Sequence, residues 1–131
     1  MSKKKILVDM SATLLHHGHI RILKKASKLG KVIVALTKDK EIKKYKKYRP
    51  ELSFKHRKEI LLSIKYVSRV IPSNFLIDDK YLKKNNIDFL IHGHDNKNIV
   101  KKSKLLIFSR TKNISSTILR KKSAKCLKKQ K

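Results

Sequence analysis

The chain has one cysteine, Cys126, no tryptophan, and nine acidic residues against thirty-six lysines and arginines. Each shortage excludes a class of protein. A single cysteine cannot form an internal disulfide, and 131 residues are enough for one core that needs no such staple. No apolar run approaches the ~20 residues that cross a bilayer. Met1-Ser2-Lys3-Lys4-Lys5 leads into only a short apolar stretch, Ile6-Leu7-Val8, before Asp9, which argues against a secretory signal and for a cytoplasmic protein. With no tryptophan and no regular aromatic interleaving in the basic segments, a platform for stacking single-stranded nucleic acid is not supported.

What the chain has in excess is positive charge, a formal +27. Such a sum points to polyanions. The lysines, however, are spread over helix faces, loops and tail instead of forming one arm or stripe, and lysine far outnumbers arginine. Three readings remain open at this level. The lysines occupy solvated positions in a chain whose Lys, Asn and Ile content fits an A- and T-biased coding sequence; they bind nucleic acid; or they draw small anionic substrates to a site.

Apolar patterning predicts alternating strands and helices. Lys5-Ile6-Leu7-Val8-Asp9 reads as a buried strand. From Gly18, residues Ile20, Leu23 and Ala26 fall at helical spacing with Arg21, Lys24, Lys25 and Lys28 on the other faces, and Gly30 is placed to cap the helix. Val32-Ile33-Val34-Ala35-Leu36-Thr37 is a second strand, which makes a right-handed parallel crossover unit. Residues 38–52 read as a long loop, or a loop with a short helix. Ser53 caps a helix with Ile60, Leu61, Ile64 and Val67 on its apolar face. Val70-Ile71 ends a strand at Pro72, and Asp78 or Asp79 opens a helix closing near Asn85-Asn86. Phe89-Leu90-Ile91 and Leu105-Leu106-Ile107-Phe108 are two further strands. Ser115 or Ser116 starts a last helix that runs into Lys121-Lys122. The fold class that follows is α/β: a single-domain, Rossmann-like, doubly wound parallel sheet with helices on both faces, over residues 1–120, with residues 121–131 as a frayed basic tail.

In such folds ligands bind beyond the carboxyl ends of the strands. The first strand-to-helix turn is Met10-Ser11-Ala12-Thr13-Leu14-Leu15-His16-His17-Gly18-His19. Three histidines around one glycine at a helix start are poor core filler. Gly18 lets a bound group approach the backbone, and the helix N-terminus offers free N–H groups to phosphate. His16 and His19, three apart, share one side of a helical turn and can donate to the same phosphate. A zinc site competes with this reading, but no Cys, Asp or Glu follows at ligand spacing, so no metal ligand is assigned.

His16, Gly18 and His19 match the His-x-Gly-His signature of the nucleotidyltransferase superfamily, and the chain resembles its cytidylyltransferase branch, in particular the bacterial glycerol-3-phosphate cytidylyltransferases. The Met10-Ser11-Ala12 sequence is also similar to cytidylyltransferase domains of phosphonate and phosphocholine pathways. A second family motif, Arg-Thr-x-Gly-Ile-Ser-[Ser/Thr]-Thr, stands here as Arg110-Thr111-Lys112-Asn113-Ile114-Ser115-Ser116-Thr117. Asn113 replaces a glycine, and asparagine enters the left-handed region more readily than most residues. Without the upstream motif, the Ser-Ser-Thr cluster would read as an ordinary helix cap.

The resemblance implies a reaction and its residues. An acceptor phosphate oxygen attacks the α-phosphate of CTP in line and pyrophosphate leaves. His16 and His19 would bind the triphosphate and the transition state. Ser115, Ser116 and Thr117 would hold the β- and γ-phosphates, Arg110 would make a bidentate phosphate contact, and Thr111 and Ile114 belong to the same turn. Ser11 and Ala12 would face the nucleotide. The family's loop lysine is assigned to Lys46 by spacing back from His56-Arg57, with Lys44 and Lys47 as alternatives. Its Arg-Tyr-Val is Lys65-Tyr66-Val67, so Lys65 keeps the charge without the planar fork. Its Gly-Asp-Asp-Trp turn is Gly93-His94-Asp95-Asn96, where Gly93 and Asp95 match. Mg²⁺ is expected with the nucleotide. The partners implied are CTP and a small phosphorylated or phosphonate acceptor, with no specific nucleic acid, and a homodimer through the Lys65-Tyr66-Val67 helix end and the strand after it. Arg120, following Ser-Ser-Thr, also resembles the adenylyltransferase branch, which keeps ATP as an alternative to CTP.

Overall fold

A computed structural model describes residues 3–93 and 97–129. Five strands form one parallel sheet in the order β3-β2-β1-β4-β5. They are β1 (Lys5–Met10), β2 (Lys31–Thr37), β3 (Arg69–Ser73), β4 (Phe89–His92) and β5 (Leu105–Ile107). Helices α1 (His17–Ser27), α2 (Asp39–Lys46), α3 (Phe54–Leu62), α4 (Asp79–Lys84) and α5 (Ser116–Lys129) connect and follow them. The expected doubly wound α/β class is the one observed.

The apolar runs become central strands because both of their faces are covered. On β1, Ile6 and Val8 turn to one face and pack with Leu23 and Ala26 of α1 and Leu61 of α3. Leu7, between them, turns to the other face with Leu82 of α4, Ile77 and Ile87. The register continues this division across the sheet, with Ile6 beside Val32, Val8 beside Val34, and Leu7 beside Leu90. Pro72 does not end β3 but lies within it, tolerated because β3 is an edge strand.

Several local expectations are corrected. Gly30 does not cap α1: Lys28 does, in right-handed geometry, and Gly30 has no positive φ. Gly30 is small for a different reason, since a Cβ there would lie 2.2 Å from the Lys4 carbonyl oxygen at the start of β1. Within residues 38–52 the short helix exists as α2, with Ile42 as its buried anchor and Lys47 closing it in the left-handed conformation (φ 64°). Ser53 caps α3 as expected, but the helix stops at Leu62. Ile64 and Val67 reach the core from the turn beyond it, and Ile60 is 40% exposed. The last helix does not end near Lys122 but continues to Lys129, with residues 121–129 all exposed.

The winding reverses between β1 and β4, and a crevice opens beyond their carboxyl ends. The first turn, 11–19, leads from β1 into α1 on one side of it. The second, 110–117, leads from β5 into α5.

Candidate active site

A cavity of about 720 Å³ occupies this crevice. Ser11, Ala12, His16, Gly18, His19, Lys46, Gly93, Arg110, Thr111, Ile114, Ser115, Ser116 and Thr117 all line it. Residues separated by a hundred positions, and expected at one site from motif spacing, are therefore brought to one wall. Lys65 is not brought there. It sits exposed on the turn after α3, before β3 begins, and its ammonium lies 5.2 Å from the Tyr66 ring centroid. Lys65 stands before the amino end of β3, whereas the cavity lies beyond the carboxyl ends of the strands. Asp95 lies outside the described residues. Among the loop lysines, Lys46 lines the cavity, while Lys44 and Lys47 do not.

The histidine geometry fixes the chemistry of the first turn. His16 is the N-cap of α1, and its Nδ1 accepts from the Gly18 N–H at 3.0 Å. His19 reaches back, and its Nδ1 accepts from the His16 N–H at 3.1 Å. The pair is a capping box made of imidazoles. A backbone N–H can only donate, so both Nδ1 atoms must be unprotonated, and each neutral ring carries its proton on Nε2. The ring centroids are 4.0 Å apart. Burial, then the neighbouring His16, Arg110 and Lys46 charges, lowers the His19 pKa to about 3. His16 is lowered mainly by burial, then by His17 and Arg110. At neutral pH the two rings are uncharged, aligned N–H donors. His17 is exposed and is not part of the cavity wall.

Gly18 has a reason that the sequence reading missed. It has no positive φ, but a Cβ would fall 2.8 Å from Cε1 and 2.9 Å from Nδ1 of His16. The glycine makes room for the capping imidazole, so the signature's spacing follows from the cap itself.

The second turn continues this wall beside the first. Asn113 adopts φ 63°, the left-handed geometry expected where relatives use glycine. The Ser115 hydroxyl oxygen accepts from the Ile118 N–H at 3.1 Å, so Ser115 caps α5 as well as lining the cavity. The Ser116 hydroxyl donates to the Leu14 carbonyl at 3.0 Å, which joins the two turns directly.

Two groups that were given no site role from the sequence organise the site. Arg57 of α3 is 1% exposed, and its guanidinium donates to the carbonyls of Ser11 (2.6 Å), Thr37 (3.0 Å) and Leu52 (3.1 Å) and to Asp39 Oδ1 (2.5 Å). It pins the first turn, the end of β2 and the start of α2 with one planar fork. The signal available was its residue type: one of only six arginines in a lysine-rich chain, on a helix otherwise supplied with lysine. Asp9, at the end of β1, is held by His92 through Oδ1 (2.5 Å) and by Asn98 through Oδ2 (3.1 Å). Among the described residues it is the only carboxylate lining the cavity, and no group of three or more His, Cys, Asp or Glu is arranged to hold a metal.

Comparisons with known proteins identify the family. The cytidylyltransferase-like family model matches residues 12–122. The glycerol-3-phosphate cytidylyltransferase of Bacillus subtilis (strain 168) is 36% identical over 93 residues, 70% of this chain and 72% of that protein. The FAD synthase of Thermococcus sibiricus (strain DSM 12597 / MM 739) is 34% identical over 122 residues, covering 90% and 81%. A solved lipopolysaccharide core biosynthesis protein from Thermoplasma volcanium GSS1 shares the fold, with a TM-score of 0.69 at 21% identity over 82% of this chain and 98% of that one. The matched span covers most of the chain and includes both turns that line the cavity, and the chain belongs to the cytidylyltransferase-like family of nucleotidyltransferases.

Proposed function

We propose that the protein transfers CMP from CTP to a small phosphorylated alcohol such as glycerol 3-phosphate, releasing pyrophosphate. The observation that carries this reading is the pair of neutral imidazoles, each with its proton fixed on Nε2, in a cavity that also holds Arg110 and the start of α5. An acceptor phosphate oxygen forms a bond to the α-phosphorus of CTP as the bond to the β-phosphate oxygen breaks. The electron pair leaves with pyrophosphate, and no covalent enzyme intermediate is needed. Catalysis is then positioning and charge stabilisation. His16 and His19 donate to oxygens of the α-phosphate, Lys46 and Arg110 offset charge developing there, and Ser115, Ser116 and Thr117 with the N–H groups of α5 hold the leaving phosphates.

Mg²⁺, as the companion of the triphosphate, would neutralise phosphate charge. Asp9 is already hydrogen-bonded by His92 and Asn98, so such an ion would rest on phosphate oxygens, as Mg²⁺ commonly does. A homodimer through the turn after α3 belongs to the same reading, and sedimentation at micromolar concentration checks it: a single species at the monomer mass removes it.

Phosphocholine, phosphoethanolamine or a phosphonate could replace the phosphorylated alcohol at the same basic wall. The FAD synthase match favours one further reading, transfer of AMP from ATP. Pyrophosphate release measured with CTP and with ATP, each across glycerol 3-phosphate, phosphocholine, phosphoethanolamine and an alkylphosphonate, separates these. Turnover with CTP and glycerol 3-phosphate above all other pairs is expected. Turnover with ATP alone, or none with any pair, overturns the proposal.

A further inference from the structure

Arg120, four residues into α5, lies outside the cavity wall and is engaged elsewhere. Its Nε donates to Glu51 Oε2 at 2.7 Å and its Nη2 to Glu51 Oε1 at 2.6 Å, a two-point fork across 69 residues of sequence. The same guanidinium lies 4.1 Å from the Tyr48 ring centroid. The Tyr48 hydroxyl is in turn 3.3 Å from the hydroxyl of Thr13, which is 1% exposed in the first turn. Two segments that border the cavity, α5 and the 11–19 turn, thus meet the 47–53 loop at one surface cluster.

The start of α5 has its own anchor in the Ser116 bond to Leu14, so it does not depend on this cluster. The 47–53 loop is held at its far end by the Arg57 bond to the Leu52 carbonyl, and between that point and Lys47 by this cluster. It begins at Lys47, the left-handed residue that closes α2 directly after Lys46. Holding the loop therefore holds the helix end that carries Lys46. An exposed ion pair is ordinarily worth little. Here the fork is bidentate and the guanidinium also rests on an aromatic face, a geometry that lysine cannot reproduce. Glu51 is held below the usual carboxylate range chiefly by its hydrogen bonds from Arg120.

We propose that Arg120 is a positioning residue, which with Glu51 and Tyr48 forms a latch that fixes the 47–53 loop against α5 and so sets the place of Lys46 at the cavity. The role of Lys46 rests on the function proposed above. The latch itself is a statement about the loop and can be tested without substrate.

Two measurements on the full chain decide it. Hydrogen exchange at the amides of residues 47–53 accelerates about tenfold in Arg120→Met and in Glu51→Gln, but not in the control Lys122→Met. With CTP and the best acceptor, each latch variant lowers kcat about tenfold while KM for CTP changes less than about threefold, because Lys46 is displaced and the phosphate wall is not. The charge-exchanged double variant Glu51→Arg/Arg120→Glu recovers most of the loss, and Arg120→Met costs nothing further in a Lys46→Met background. Unchanged exchange in both single variants overturns the latch, whatever the substrate. Faster exchange with wild-type kcat overturns its action on Lys46. A kinetic loss in Arg120→Met that Glu51→Gln does not share means that Arg120 contacts nucleotide directly, which also overturns it. A wild-type protein with no turnover of CTP overturns the proposed function instead, and the exchange measurement still decides the latch.

Discussion

The turn at 11–19 is fixed from inside the molecule, whereas the turn at 110–117 is fixed from its rim. Arg57, almost fully buried, holds the Ser11 carbonyl from below, Thr13 is buried, and two imidazoles close the start of α1 in reciprocal hydrogen bonds. In the second turn Arg110 and Thr117 are exposed, and the tie described from it to the first turn is one hydroxyl bond, from Ser116 to the Leu14 carbonyl. The difference fits a division of labour within the proposed reaction. Donors that must meet one reacting phosphate need a preset geometry. Groups that hold the leaving phosphates can sit on an element strapped on at the surface, where exchange with solvent is easy.

The largest effect expected from this contrast is on stability. Arg57→Met leaves the Ser11, Thr37 and Leu52 carbonyls without this donor and takes the buried partner from Asp39, whose own side chain is 46% exposed. At about 1–3 kcal/mol for each acceptor left unpaired, it is expected to cost about 3–5 kcal/mol, measured by urea unfolding. Ser116→Ala removes one hydroxyl bond at the rim and is expected to cost about 0.5–1.5 kcal/mol. If the two costs are equal, the turns are not held differently.

Next comes catalysis. His16→Ala and His19→Ala are each expected to lower kcat on the order of 10²–10³-fold, the scale for removing one aligned donor, with the fold retained by circular dichroism. The imidazole should matter for its N–H and not for a charge. Burial holds the His19 pKa near 3, so activity should show no inflection from this residue between about pH 5 and 8. Its depressed pKa also gives a signed stability effect. Between the unfolded value near 6.5 and the folded value the unfolded chain binds more protons, so stability falls as pH falls through that window, by at most about 1.4 kcal/mol per pH unit. His19→Asn should flatten this slope in thermal unfolding measured from pH 7 down to pH 4. A slope as steep as that of the wild type would place the titrating group elsewhere.

The same contrast explains what was legible in the sequence. Strands β1, β2 and β4 were readable because cover on both faces turns burial into unbroken apolar runs such as Val32-Ile33-Val34-Ala35-Leu36. Helix α2 was hardly readable because it buries one residue, Ile42, and the far half of α5 because it buries none. The two turns were found because each carries several chemically specific residues within one stretch. Arg57 was passed over because a charged residue on a helix looks solvated until the carbonyls it holds, 5 to 46 residues away, are in view. The Asp9 and His92 contact, across 83 residues, has no spacing that could reveal it. That Lys65 stands away from the cavity was not legible, because matching a motif counts positions along the chain, while the turn after α3 precedes the amino end of β3.

Asn113 gives the smallest expected effect, and it tests whether the rim turn carries strain. Its φ of 63° costs an ordinary side chain about 1–2 kcal/mol, less for asparagine, whose short amide is tolerated there. Asn113→Gly removes that cost but releases more freedom in the unfolded chain, worth about 0.4–1 kcal/mol in the opposite direction. The two contributions nearly cancel, so the glycine variant should unfold within about 0.5 kcal/mol of the wild type. Asn113→Val has no such compensation: a β-branched side chain in the left-handed region should be destabilising by about 1–2 kcal/mol. Because α5 starts three residues later and is anchored by Ser116, the valine variant should also raise the KM for CTP more than it lowers kcat, whereas a histidine variant does the reverse. Valine that matches asparagine in both stability and KM would mean that the 110–117 turn is free to change its backbone without cost, and that the leaving phosphates are held by the first turn alone.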